Sequence, residues 1–417
     1  MTTSNQPAKS APKKGLGARF IAYMIENKPD LLFMILRNTR PNLVTPNNGP
    51  VFITRFRDVE EALSRPEVFN ITYGAMIDPS VGPFMLGRDG TTINQRDKGI
   101  MRALMQREDL PTIRAAVAAR VNESVERQMQ SRKIEVVSTI SRWVPIKLSG
   151  DYFGFPGPDM ASMLRWSRAT QYDMFHNLDK DPGIHQDNID AGQEMKAYMR
   201  ELLSQRRAAL QQNPDLDDIL SRLLKSQFPD AIDFDDERIM VNIMGTLVGG
   251  IETTSQAIVQ ILDQLFKRPA IFKQAVTAAK MDDDDLVFQY CWEALRFNPI
   301  NPFVVRRCAS NYKIASGSLR SATIKEGAIV LVSTRSAMRD GREIPAASKF
   351  CIDRPPHHYL HLGYGLHTCL GDQLSRVQVP EIIKRLLKLP NLRPGSGIDL
   401  KGGPFPESYT VEFDPIY

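Results

Sequence analysis

One short run of residues has the types and spacing for redox chemistry. Residues 362–376 read LGYGLHTCLGDQLSR and hold Cys369, one of four cysteines, and His367, one of six histidines. The other cysteines, Cys291, Cys308 and Cys351, form no CxxC pair with it or with one another. The residues after Gly371 read as a helix, so the sulfur sits near a helix start, where unpaired backbone N–H groups and the positive end of the dipole favour thiolate over thiol. Gly363, Gly365 and Gly371 allow tight turns and close approach to something flat and large. A lone cysteine beside a glycine turn is ordinarily a buried structural thiol. The full GxGxHxCxG spacing favours instead a thiolate presented to iron in haem, where sulfur donates electron density toward bound oxygen.

A second cluster lies in the run FDDERIMVNIMGTLVGGIETTSQAIVQILDQLFKRP, residues 234–269, which predicts a long interior helix. Acidic residues crowd its start and Lys267 and Arg268 its end, matching the dipole, and Pro269 stops it. Its middle breaks two rules. Gly249 and Gly250 each cost about 1 kcal/mol against alanine in a helix. Glu252, Thr253 and Thr254 place a carboxylate and hydroxyls among apolar residues, where an unpaired charge costs several kcal/mol. Function accounts for both: the glycines leave room against a flat ligand, and a threonine that bonds a carbonyl one turn back opens the helix. Thr253 would then donate to bound oxygen and Glu252 relay protons. The alternative is a packing helix with a capped kink. The third cluster is EALRFNP, with Glu293 and Arg296 three apart on one helix face. Such pairs are usually solvated and worth tenths of a kcal/mol, but the apolar flanks predict burial here.

The elements that position these clusters are mostly helical. Short strand-like runs occur at 51–54, 312–314, 328–332 and 409–413, too few for a large parallel sheet. In the helix after Cys369, Pro380 should kink the middle. The fold class is therefore mainly α with a small β portion. The opening MTTSNQPAKSAPKKG (1–15) is small, polar and basic and reads as a disordered leader; residues 16–417 read as one domain. With 53 basic and 48 acidic residues the net charge is +5, too mild and dispersed to argue for nucleic acid. Sparse cysteines indicate a reducing, cytoplasmic setting. No uninterrupted apolar run of about 18 residues appears near the start, so neither a membrane anchor nor a signal peptide is expected.

Taken together, GGIETTS, EALR and GYGLHTCLG, in that order along nearly the whole chain, resemble the cytochrome P-450 family, the haem-thiolate monooxygenases. The resemblance implies a single-domain cytochrome P-450 fold with the cofactor between the long central helix and the cysteine loop. It implies haem b (iron protoporphyrin IX) with Cys369 as the axial thiolate and metal ligand, Gly363, Gly365 and Gly250 close to the cofactor, and His367 on a haem propionate. Arg306, ten residues past Arg296, matches a second propionate contact, with Arg307 an adjacent candidate. In TTINQRDKGIMR the family's histidine and arginine positions read Asn94 and Lys98, and lysine lacks the planar fork of arginine. The chain departs from the family pattern at two further places. Leu362 stands where the ligand loop usually has phenylalanine, which bears on the redox potential. Lys349 stands where an arginine completes the Glu293–Arg296 network, with Arg354 as the compensating candidate.

The resemblance also bears on chemistry. Peroxide-using fatty-acid hydroxylases of the family replace the acid–alcohol pair with arginine and proline; this chain keeps Glu252 and Thr253, which favours oxygen activation with two delivered electrons. No flavin or iron–sulfur module is recognisable, so a ferredoxin-type donor with its reductase is expected. Arg96, Lys98, Arg102, Arg376, Lys384 and Arg385 could form a basic patch on the cysteine side, or be ordinary solvated faces. A pocket for a small-molecule substrate, apolar or moderately polar, would draw on Val248, Phe303, Val304, Phe84 and Tyr409, and QYDMFHN (171–177) could form a lid turning Phe175 and His176 inward. The chain is expected to act as a monomer. The alternatives are a peroxide-driven or electron-independent haem-thiolate enzyme, and a haem sensor or carrier without catalysis.

Overall fold

Amphipathic segments too short to bury their apolar faces alone are assembled here by two consecutive interior helices and the helix after the cysteine. The structure, a computed structural model, describes residues 20–21, 23–25, 28–46, 49–177 and 180–415. The leader expected at 1–15 lies outside them. The chain enters through α1 (Pro29–Thr39), β1 (Asn42–Val44), β2 (Val51–Ile53), α2 (Phe56–Leu63), β3 (Phe69–Ile71) and the one-turn α3 (Gly74–Ile77). Helices α4 (Thr92–Leu104) and α5 (Leu110–Gln128) follow, then β4 (Lys133–Glu135), a π-helical turn (Val137–Ser141) and α6 (Trp143–Asp151). Next come α7 (Met160–Phe175), α8 (Pro182–Gln212) and α9 (Ile219–Lys225). Capping explains several starts: the side chains of Asp159, Asp181 and Asp218 each accept a backbone N–H in the first turn of α7, α8 and α9.

The run predicted as one long helix is two. Helix α10 (Asp236–Gly250), capped by Asp235 on the Arg238 N–H, ends at the glycine pair, and α11 (Glu252–Phe266) resumes after Ile251. Pro269 then opens α12 (Pro269–Lys280) instead of merely stopping a helix, because a proline at the first position lacks only an N–H that would be unpaired anyway. Helix α13 (Asp284–Phe297) carries EALR. Strands β5 (Val304–Cys308), β6 (Tyr312–Ile314), β7 (Ala322–Ile324) and β8 (Ile329–Val332), the short α14 (Thr334–Ala337), α15 (Asp372–Leu387), β9 (Arg393–Pro394) and β10 (Thr410–Glu412) complete the order. Helix α15 runs without interruption through Pro380.

Among the described residues the strands form three small sheets. Five order as β1-β2-β8-β5-β3, with only β2 and β8 parallel; three as β4-β10-β9; and two as the β6-β7 hairpin. Helices α10, α11, α13 and α15 share one core, in which Ile243, Ile258, Leu262, Cys291 and Ile383 are fully buried. Burial of such side chains at roughly 1.5–3 kcal/mol each holds α11 and α15 together, and so sets the interior helix against the segment after Cys369. Among the described residues no helix is long and apolar enough to cross a membrane.

Candidate active site

The glycines of the cysteine loop are there for backbone reasons. Gly363 (φ +83°) and Gly365 (φ +63°) occupy the left-handed region, and a Cβ on Gly363 would lie 2.8 Å from the His367 carbonyl. The Cys369 N–H donates to the Leu362 carbonyl at 2.9 Å, closing the loop, and the Gly371 N–H points at the sulfur. Lys98 locks the loop from outside, its ammonium donating to the carbonyls of Leu366 (2.6 Å) and Thr368 (2.9 Å). Burial, then the nearby Arg102, lowers the Lys98 pKa to about 8. Burial pushes the Cys369 thiol up, against the opposing effects of Gly371, Lys98 and Arg102.

On the interior helix the threonine hydroxyls do what their spacing predicts. Thr253 Oγ1 donates to the Gly249 carbonyl (2.5 Å) and Thr254 Oγ1 to the Gly250 carbonyl (2.7 Å). No heavy atom lies within 4 Å of where a Cβ would sit on either glycine, and Gly249 is exposed although Val248 and Ile251 beside it are buried. That is open space against a helix in the interior, the shape a flat ligand requires. Two carbonyls near the break find partners on α7: Ser167 donates to Leu247 (3.4 Å) and Gln171 to Val248. Nothing in the sequence signals these two, because the stitch spans about 80 residues.

Glu252 is fully buried, and Arg142 accounts for it. The Arg142 guanidinium lies 3.0 Å from one carboxylate oxygen and donates at 3.3 Å to the other, while Arg168 stands at 3.9 Å. Glu407, near the start of the last hairpin, takes a second contact from Arg142 (3.2 Å) and also pairs with Arg168. Burial raises the Glu252 pKa and the arginines oppose it; Glu407 is held low by those same arginines, whose pull outweighs its own burial. Sequence reasoning missed Arg142, Arg168 and Glu407, since the four charges come from four distant segments.

The polar ring next to the cysteine loop has an unbalanced cation. Arg306 is 5% exposed, and its guanidinium donates to its neighbour's carbonyl, Val305 O, at 2.9 Å. Among the described residues no carboxylate pairs with it; Asp89 and Tyr73 are only near enough to oppose the lowering of its pKa by burial. A buried guanidinium without a counter-charge is costly, and the carboxylate of a bound group would relieve it. His367 bonds Asp89 through Nε2 (2.9 Å), and its Nδ1 is shielded and unpartnered. Asn94 donates to the carbonyls of Met85 (2.9 Å) and Arg88 (3.1 Å), so its amide ties α4 to the preceding loop. Arg307 is exposed on the opposite side of β5.

Glu293 and Arg296 are both fully buried and form a bidentate pair, with both contacts at 2.8 Å. Arg296 also donates to the carbonyls of Met338, Ala347 and Lys349. Lys349 thus contributes its carbonyl while its side chain is exposed, and Arg354 supplies the second guanidinium, 3.1 Å from Glu293. Tyr359 and the Cys351 N–H add further donors to the same carboxylate.

Of the residues read as pocket lining, Val248, Phe84 and Tyr409 are at least 96% buried in the main core. The Phe84 ring packs where a side chain on Gly245 would go. Phe303 packs against the cluster under α1, and Val304 against the sheet core. Phe175 is 36% exposed beside Tyr73, whereas His176 turns onto Phe405 and Tyr172. Of the basic side chains, Arg96, Lys384 and Arg385 are paired with carboxylates, Lys98 with carbonyls, and Arg376 lies over Phe288 and Trp292. Arg102 is exposed.

Two histidines make stability depend on acid. Burial lowers His176 to about 4, and burial followed by Arg376 lowers His361 to about 3; both His361 ring nitrogens are shielded and unpartnered. The unfolded chain takes up these protons near pH 6.5 and the folded one does not. The native state is therefore unaffected above about pH 6.5 and loses stability as pH falls from there toward 4. At pH 5 each ring costs up to about 2 kcal/mol. Urea midpoints measured at pH 7 and pH 5 should differ, and His361→Leu should shrink that difference; an unchanged difference would remove His361 from the account.

A loop that presents one sulfur, a glycine-lined gap on an interior helix and a buried cation awaiting a carboxylate fit a haem held by cysteine thiolate, and define a haem-thiolate oxidoreductase. The family model described as Cytochrome P450 matches residues 158–397. The chain belongs to the cytochrome P450 family. It is 29% identical over 263 residues to the mycinamicin IV hydroxylase/epoxidase of Micromonospora griseorubida, a match covering 63% of this chain and 61% of that relative. It is 24% identical to the steroid C26-monooxygenase of Mycolicibacterium smegmatis, over 88% of each chain. Among solved structures, P450BioI bound to an acyl-carrier protein ligated with hexadec-9Z-enoic acid superposes with a TM-score of 0.80 at 19% identity, covering 94% of this chain and 100% of that one. CalO2 gives 0.78 at 20%, covering 94% and 97%. These structural likenesses speak to the fold.

Proposed function

We propose that this protein inserts one oxygen atom from O2 into an apolar or moderately polar small molecule, using haem b ligated by Cys369 and electrons from a separate ferredoxin-type donor. The observation that carries the reading is the opened turn at 249–253, where Thr253 Oγ1 is fixed on the Gly249 carbonyl beside glycines that face open space. When bound, haem supplies oxygen activation, with the sulfur of Cys369 donating to it. The chain's own residues supply position and protons. Arg306 and the free Nδ1 of His367 offer contacts to the cofactor's carboxylates, and Lys98 keeps the ligand loop closed. Thr253 holds a proton at Oγ1 at the opened turn, and Glu252, whose carboxylate is disposed toward protonation by burial, replenishes it when its contact with Arg142 loosens. Two relatives named as hydroxylase/epoxidase and as steroid monooxygenase favour oxygen insertion over a carrier role.

The test is Thr253→Ala in the holoenzyme with ferredoxin and reductase. Product formed per electron pair should fall at least severalfold while hydrogen peroxide rises, with the thiolate spectrum unchanged. Unaltered coupling would take Thr253 out of the mechanism. Turnover with peroxide alone, and none with reductant, would replace the whole reading by a peroxide-driven one.

A further inference from the structure

The charges around Glu252 are shared unequally. Two guanidinium groups, Arg142 just before α6 and Arg168 on α7, stand between two carboxylates, Glu252 at the start of α11 and Glu407 ahead of β10. The hydrogen bonds of both cations favour Glu407 and its neighbours. Arg168 pairs closely with Glu407 and stands 3.9 Å from Glu252. Arg142 donates to the Pro406 carbonyl at 2.8 Å and to Glu407 at 3.2 Å, and reaches Glu252 Oε2 only at 3.3 Å. The Phe405 ring lies under the Arg168 guanidinium, its centroid 5.3 Å away. Three consecutive residues, 405–407, therefore hold both arginines.

The other oxygen of Glu252 is left open. Arg142 Nε lies 3.0 Å from Oε1 but is not aligned as a hydrogen bond, and among the described residues neither shielded atom has a hydrogen-bond partner. A buried carboxylate oxygen in that condition is a place for a proton, since protonation removes a charge that burial disfavours. The count of charges decides whether the proton can stay. With both acids ionised the cluster is neutral. A proton on Glu252 takes it to +1, with Glu407 still neutralising one of the two arginines. Without Glu407 those two states become +1 and +2 beside a fully buried carboxylate, and Glu252 stays ionised between two cations.

We infer that Glu407 is a positioning residue for proton delivery: by drawing Arg142 and Arg168 to itself, it leaves Glu252 Oε1 free to take up a proton and pass it toward Thr253. The inference rests on the reading of Glu252 and Thr253 as the proton-delivering pair. The proton that leaves Oε1 is replaced from water, so Glu252 is unchanged over a cycle. The charged groups facing Glu252 come from three segments: Arg142 before α6, Arg168 on α7 and Glu407 ahead of β10. Its titration therefore reports their balance.

The test is an infrared difference titration of the holoenzyme, in which the carbonyl stretch of a protonated acid that disappears in Glu252→Gln reports Glu252. In Glu407→Gln the pH at which that band appears should fall by about one unit or more. Glu407→Gln combined with Arg168→Gln restores the charge count and should bring the transition back, while Arg168→Gln alone should move it up by about one unit. In turnover with ferredoxin and reductase, Glu407→Gln should lower product per electron pair about threefold or more and raise the solvent deuterium isotope effect, and the double variant should recover most of the loss. A transition unmoved by Glu407→Gln overturns the inference, as does one unmoved by Arg168→Gln should Glu407→Gln lose the thiolate spectrum. A double variant worse than either single one also overturns it, since a salt bridge that only ties 405–407 to α7 behaves that way. If Glu252→Gln leaves coupling unaltered, the reading of Glu252 as proton source fails and this inference with it. Coupling lost in Glu252→Gln but kept in Glu407→Gln sinks this inference alone.

Discussion

Cys369→Ser should abolish the long-wavelength Soret band of the reduced carbon monoxide complex and reduce monooxygenase turnover to background, while leaving the protein folded. The side chain differs from serine by one atom, and the loop's shape comes from elsewhere. Gly363 and Gly365 provide the left-handed turns, the Cys369 N–H bonds Leu362, and Lys98 grips two carbonyls of the loop. None of these contacts uses the sulfur. What the sulfur alone provides is the electron donation that a hydroxyl, with its far higher pKa, cannot match. The readout is the spectrum, with circular dichroism as the fold control and a stability change within about 1 kcal/mol. A folded, haem-loaded serine variant that keeps the band would show that another residue ligates iron, and would end the assignment of Cys369.

The largest loss of stability should come from Arg296→Leu. Arg296 is fully buried, spends two N–H groups on Glu293 and gives the rest to three carbonyls from the segment 338–349. Removing it leaves Glu293 buried, with Arg354 on one oxygen and only a 3.4 Å contact from Tyr359 on the other. Breaking one side of a buried, hydrogen-bonded ion pair costs about 3–5 kcal/mol. The substitution also orphans the carbonyls of Met338 and Ala347, while that of Lys349 keeps a contact from Arg354, so the segment that leads into the cysteine loop should loosen and haem should be held less firmly. Denaturant unfolding and haem transfer to an apo-acceptor measure the two effects. A loss below about 1 kcal/mol would mean that Arg354 and Tyr359 carry the network without it. Arg354→Gln should cost less, since Arg296 still satisfies both oxygens of Glu293.

Short-range features of the site are legible in the order of residues. The cysteine loop is a contiguous run whose glycines, histidine and sulfur must lie together whatever surrounds them. The opened turn at 249–253 is legible for a similar reason: threonine reaches a carbonyl one turn back on its own helix, and two glycines in an apolar helix need an explanation. The pair Glu293 and Arg296 comes from helical spacing, and its burial from its flanks. Departures at single positions can be seen but not resolved. Lys349 stands where an arginine is expected, yet only the fold shows that its carbonyl is what Arg296 uses and that Arg354 takes the guanidinium's place.

Distance along the chain marks where such reading ends. Arg142 and Arg168 meet Glu252 and Glu407 across separations of 84 to 265 residues, and Asp97 is paired with Arg238 and accepts a hydrogen bond from Asn242, both more than 140 residues away. Lys98 has the position of a cofactor contact and Asn94 of its companion, but packing of α4 gives the first to the ligand loop and the second to the preceding turn. Three of the six basic side chains read as a candidate patch, Arg96, Lys384 and Arg385, are paired with carboxylates brought from other segments or from their own helix. The shape of the cysteine loop, the opened turn and the local ion pair could be read from residue order alone, because backbone geometry and helical periodicity act over a few residues. Which charges neutralise one another, and which stay exposed, was settled by folding. An ion pair depends on distance in space and on shielding from water, and neither is written in spacing along the chain.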